Sequence, residues 1–256
     1  MGAADPSSLL LAAAMAAAAG LIGCFAVMRR MTLAADALSH VALPGIGIAL
    51  LLHFHPAAGA AGALFLGTAL VWSLERRTRF STEAVIGVVF SAALALGSLL
   101  SSGEELIEAL FGRPGTLSRW EAVVGLAAAG AVIVFVLRAK DRLVVALVSP
   151  DIARTAGIDA ERLDLMYLMA FALTVALGLR YLGALLMGSL VIIPAVAAKR
   201  LAASLSGMLT VSVAIAMFST LTGTALAARF GRETGPLIIL TAAACFLLSL
   251  FRPRPT

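Results

Sequence analysis

Nine stretches of 15 to 25 residues contain no Asp, Glu, Lys or Arg: 7–28, 37–52, 57–74, 84–100, 122–137, 165–179, 181–198, 204–228 and 236–251. One crossing of the hydrocarbon core takes about 17–25 apolar residues, so runs this long and this numerous belong where lipid is the solvent. Inside lipid every backbone amide and carbonyl must find its partner within its own segment, and none of these runs alternates as a barrel strand does. The expectation is an all-α, polytopic transmembrane helix bundle of about nine spans; an eight-span version with one re-entrant segment fits nearly as well. Composition agrees, since 61% of the chain is hydrophobic and only 13% charged, against about a quarter charged in soluble domains. A soluble enzyme, a nucleic-acid-binding module and a disordered scaffold are thereby excluded.

The net charge of +5 is a statement about topology. Basic residues collect at Arg29 and Arg30, Arg76 to Arg79, Arg138 to Arg162, Lys199 and Arg200, and Arg252 and Arg254. Together these hold fourteen of the nineteen lysines and arginines, which makes that side cytoplasmic and places the N-terminus outside. The first run is followed rather than preceded by basic residues, so it reads as a retained span and not a signal peptide. No tandem repeat or linker divides the chain, and residues 1–256 read as one membrane domain. Cys24 and Cys245 sit in apolar runs, where a thiol behaves as a small hydrophobe.

Asp36 and His40 interrupt this monotony just inside the membrane from Arg29 and Arg30. Four residues apart, they share one helix face, and a carboxylate at that depth costs several kcal/mol unless it meets a partner or a wet cavity. Pro44 cannot donate to the carbonyl of His40, and Gly45 follows it, so the helix is expected to kink and leave a free oxygen beside the imidazole. Carboxylate, imidazole and carbonyl together suit a first-row divalent cation. The plain alternative is that Asp36 caps the helix and His40 bonds a neighbouring helix. His53 and His55, in an outer turn before Pro56, would point the same way if the turn is extended. They are either a receiving site for an ion or a solvated turn.

Ser149 as a cap, Pro150 at the first helical position, Asp151 in the first turn, then Ile152, Ala153 and a stop at Gly157, predict a very short helix at about 150–157 in the longest cytoplasmic loop. A helix so short must dock on something, either this chain's own loops or a partner subunit. Pro194 is a second proline inside a span and predicts a second kink. Arg180, between two spans, has no assigned role.

A phosphate-binding loop ends in Gly-Lys-Ser/Thr, whereas Lys140 and Lys199 precede Asp141 and Arg200, so any ATP hydrolysis belongs to another subunit and this chain is not itself an enzyme. An ion-coupled secondary metal transporter or channel would also use an intramembrane aspartate and kinked helices, but has no need of a separate capped helix. A serine hydrolase built on Ser189 and His40 lacks any flanking nucleophile motif.

Arg29-Arg30-Met31, Asp36-Ala37-Leu38-Ser39-His40 and Leu43-Pro44-Gly45 resemble the signature of the zinc and manganese permease family of bacterial ATP-binding-cassette importers. Blocks at 82–91, 110–112, 150–157, 193–195 and 234–236 are similar to the family's in the same order, so the likeness covers nearly the whole chain. It implies the membrane subunit of a metal importer in the bacterial cytoplasmic (inner) membrane, and a permease that pairs with a second copy. It also implies two cytoplasmic ATPase subunits docked through Pro150, Asp151, Ile152, Ala153 and Gly157, and an extracytoplasmic binding protein that delivers metal. Ala35 stands where the family usually has glycine, and Val196-Ala197 where Ala-Thr is frequent, so the 193–197 segment is left out of the metal site. One chain offers only Asp36 and His40; two chains around an axis would offer two carboxylates and two imidazoles. Zn2+ or Mn2+ would be the transported substrate, and no cofactor would be bound permanently.

Overall fold

The computed structural model describes residues 6–32, 34–78, 80–100, 119–182 and 184–252. The 110–112 block with Arg113, Arg79, Arg254, and the side chains of Pro150 and Arg180 lie outside the described residues. Among those described are ten helices and no strand: α1 (Pro6–Met28), α2 (Ala34–Leu51), α3 (Pro56–Thr78), α4 (Thr82–Leu100), α5 (Arg119–Val148), α6 (Pro150–Thr155), α7 (Ala160–Leu182), α8 (Ala184–Leu201), α9 (Leu205–Phe230) and α10 (Thr234–Ser249). Each apolar run lies within or nearly within one of them. By length and composition six are fit to cross a membrane, namely α1, α3, α4, α5, α7 and α9, while Asp36–Leu51 of α2 and Thr234–Ser249 of α10 are shorter apolar segments.

The stretch read as the longest cytoplasmic loop is mostly helix. α5 continues unbroken through Arg138, Lys140, Asp141 and Arg142 to Val148. Nothing there breaks a helix, because Arg, Lys, Ala and Leu are good helix formers, and Ala139 and Leu143 are buried against the bundle. At about 1.5 Å per residue this helix outruns the hydrocarbon core and carries α6 clear of it.

α1 is the central helix, packed against α5, α7, α8 and α9, with Ala16, Ala19, Ile22, Cys24 and Phe25 fully buried. In lipid there is no hydrophobic drive between helices, so small residues and hydrogen bonds must hold them. A Cβ on Gly23 would collide with the backbone oxygen of Val191 in α8. The Ser212 hydroxyl of α9 donates to Gly20 O at 2.8 Å, and the Tyr167 hydroxyl of α7 donates to Ile22 O at 3.1 Å. α2 packs on α3 and α4. Gly45 and Gly59 meet backbone to backbone, and Gly97 of α4 seats Leu43 and Pro44.

The side chains at one end confirm which termini lie together. Arg29 at the end of α1 pairs with Asp164 of α7, Arg76 of α3 pairs with Glu161 of α7, and Thr82 of α4 donates to Glu75. Arg200 of α8 donates to the carbonyls of Ser249 and Leu250 at 3.0 Å. These are the ends that the basic residues assign to the cytoplasm.

Candidate metal site and the short cytoplasmic helix

Asp36 occupies the first turn of α2 and is exposed on this chain, while Ser39, three residues on, is fully buried. The Ser39 hydroxyl donates to Asp36 O at 2.6 Å, which pins the start of the helix. One turn on, the half-buried His40 ring meets the Phe90 ring of α4 edge to face, 5.6 Å between centroids. Pro44 lies within α2 and brings no amide to the carbonyl of His40. Behind Asp36 stands Gly188 of α8, where a Cβ would lie 3.3 Å from the Asp36 Cα, Cβ and Oδ1. Gly188 is thirteen residues from the end of α8 at Leu201, or about 20 Å along its axis, and it backs Asp36 at the first turn of α2. Asp36 has no salt-bridge partner among the described residues, nor do those residues contain a cluster of three or more His, Cys, Asp and Glu able to hold a metal. One chain therefore presents a carboxylate on an open face with a half-buried imidazole one turn on.

His53 and His55 are placed otherwise than an extended turn would place them. His53 has φ 55°, the left-handed conformation. Its amide donates to Leu50 O, and that of Phe54 to Ala49 O, the bond pair that closes a helix C-terminus. The extended run needed to align the two imidazoles is broken at His53. His55 caps the next helix, its Nδ1 accepting from the Ala57 amide at 3.3 Å. Both rings are exposed, and both residues carry out turn chemistry.

α6 forms as the sequence signals require. Ser149 takes an extended backbone and its hydroxyl accepts from the Ile152 amide at 3.3 Å, Pro150 begins the helix, and Gly157 stops it with φ 72°. Ala153 is fully buried, whereas Asp151 and Ile152 are exposed. One face of α6 thus seats on α5 and α7, and the other offers a charged and an apolar side chain beyond the membrane.

Pro194 lies buried within α8, a helix packed on α1, α9 and α10. Gly188 and Phe90 escaped the reading of the sequence. Phe90 lies in the 82–91 block, to which no role was given, and neither residue carries a charge or a ligand atom.

A bundle of membrane-length helices with a carboxylate on an open face and a short capped helix beside its basic end defines a class, that of multi-pass membrane transport proteins. The chain belongs to the ABC 3 transport family, whose description matches residues 6–253. It is 32% identical over 240 residues to the high-affinity zinc uptake system membrane protein ZnuB of Haemophilus influenzae, covering 90% of each chain. It is 26% identical over 249 residues to the manganese import system permease protein ScaB of Streptococcus parasanguinis, covering 96% of this chain and 89% of the other. Among solved structures, PsaBC from Streptococcus pneumoniae in complex with Fab superposes with a TM-score of 0.82 at 25% identity, over 96% of this chain and 90% of that one.

Proposed function

We propose that this chain is the membrane permease subunit of an ATP-binding-cassette importer that moves a divalent transition metal, zinc or manganese, into the bacterial cytoplasm. Two copies pair around an axis, so that two Asp36 carboxylates and two His40 imidazoles complete a transient site. The two carboxylates offset the charge of a dication where hydration is lost, and the mixed oxygen and nitrogen set suits both metals. The Asp36 carboxylate on an open face, with the half-buried His40 imidazole one turn on, is the observation that carries this reading. Nine crossings, with the N-terminus outside, agree with the cytoplasmic clustering of Arg29, Arg76, Glu161, Asp164 and Arg200. His53 and His55 lie at the outer mouth, where an extracytoplasmic binding protein hands over its metal.

Hydrolysis takes place on two separate ATPase subunits that grip the exposed face of α6. Pro150 and Gly157 set the ends of that helix, Asp151 and Ile152 meet the partner, and Ala153 seats it on the bundle. The permease holds no permanent cofactor; the metal is cargo.

The test is uptake into liposomes that hold this chain with its ATPase, for zinc and manganese in turn. ATP-dependent accumulation is expected. Uptake driven by an ion gradient with no need of ATP would support a secondary transporter in its place.

A further inference from the structure

Where α1, α3, α5, α6 and α7 converge at the cytoplasmic end, a cavity of about 330 Å³ is lined by Arg29, Glu75, Arg76, Arg154, Glu161 and Asp164, among others. The two ion pairs beside it differ. Arg76 and Glu161 are 33% and 56% exposed, whereas Arg29 and Asp164 are 13% and 27% exposed. The Arg29 guanidinium also lies 4.5 Å over the ring of Tyr167, itself fully buried and bonded to the backbone of α1. Withdrawing charges even partly from water costs desolvation that an ion pair only offsets, so packing alone gives no reason for one here.

Its place in the chain gives a reason. Asp164 lies in the second turn of α7, and only four residues separate α7 from α6; that short link is tied back to α6 by the Ile158 amide donating to Ala153 O at 2.8 Å. Arg29 lies five residues before α2. Two bonds tie the described residues on either side of the helix junction: Met31 N–H donates to Ala26 O at 2.9 Å, Ala34 N–H donates to Met31 O at 3.1 Å, and Met31 is buried. A displacement of α6 passes along the chain to α7, across one ion pair to Arg29, and through Met31 and Ala34 to Asp36. The cavity gives the guanidinium room to follow. We propose that Arg29 and Asp164 are positioning residues for transport, the contact by which movement of the ATPase-docking helix reaches the metal-bearing helix. This rests on the importer reading above.

The test uses the full permease with its ATPase in liposomes, measuring metal moved per ATP hydrolysed. Asp164→Asn is expected to keep ATP hydrolysis within about twofold of wild type while metal moved per ATP falls by about tenfold, a coupling of ordinary size. The exchange of charges, Arg29→Asp with Asp164→Arg, should recover a large part of that loss, which assigns it to the pair; a lower metal-to-ATP ratio at unchanged melting temperature is the mark that a purely structural role would not leave. Arg29→Lys keeps the charge but loses the planar stack on Tyr167, and should fall between wild type and Asp164→Asn. Wild-type stoichiometry in Asp164→Asn overturns the proposal, as does a loss of transport that only follows a fall in melting temperature across all three variants. Should the wild-type complex move no metal with ATP, the importer reading fails instead.

Discussion

α2 and α8 are 18 residues each, and each carries one internal proline, yet they have opposite roles in the bundle. α2 packs on α3, α4 and α8 and sends Leu38, Val41 and Ala42 into the core, while Asp36 stands exposed and His40 half-buried. α8 is walled in by α1, α9 and α10, with Leu186, Met187, Leu190, Val191 and Ala195 all buried. A proline in a membrane helix therefore says that a carbonyl is freed, not that an ion passes there. What sets α2 apart is its ionisable pair, because such groups in hydrocarbon need water, a partner or a dication. The two helices meet at Gly188 and Asp36, where the buried one sets the position of the exposed one.

The contrast can be broken by experiment. Asp36→Ala or His40→Ala removes a ligand and should lower metal uptake on the order of a hundredfold or more in complexes that still assemble; wild-type rates in both would remove α2 from the pathway. Gly23→Val drives a side chain into the α8 backbone and should cost about 2 kcal/mol or more of stability, seen as earlier thermal unfolding in detergent. Pro44→Ala restores an amide beneath the His40 carbonyl and should reduce uptake several-fold, whereas Pro194→Ala should leave uptake within about twofold. Equal losses in the two would erase the distinction between the helices. Gly188→Ala asks its neighbours to give by a few tenths of an ångström, so its expected mark is a several-fold weaker metal affinity with unchanged melting.

Helix after helix was legible because each apolar run has one solution in lipid, and α6 was legible because Ser149, Pro150 and Gly157 are local signals that act within one turn. Asp36 and His40 were legible for the opposite reason, as they break a rule that their surroundings obey. The outer histidines did not take the extended geometry. The alternation argument assumed an extended backbone, and the need to close α2 and begin α3 put His53 in the left-handed region and His55 on a capping duty. The extension of α5 through residues 138–148 was also missed, since charged residues were read as loop when their helix propensity favours continuation.

Hydropathy, charge placement and capping are properties of neighbours in the chain, so the sequence by itself determined that this protein is a bundle of membrane helices, which ends face the cytoplasm, and where a short helix stands outside. It also singled out the acid and imidazole that a metal would use. Only the tertiary structure decided that Gly188 backs the carboxylate, that Phe90 meets the imidazole, and that Arg29 reaches Asp164 across 135 positions of sequence. Those are distances between segments whose order in the chain says nothing of their order in space. They depend on how closely two backbones approach, which is set where small residues on different helices happen to face each other.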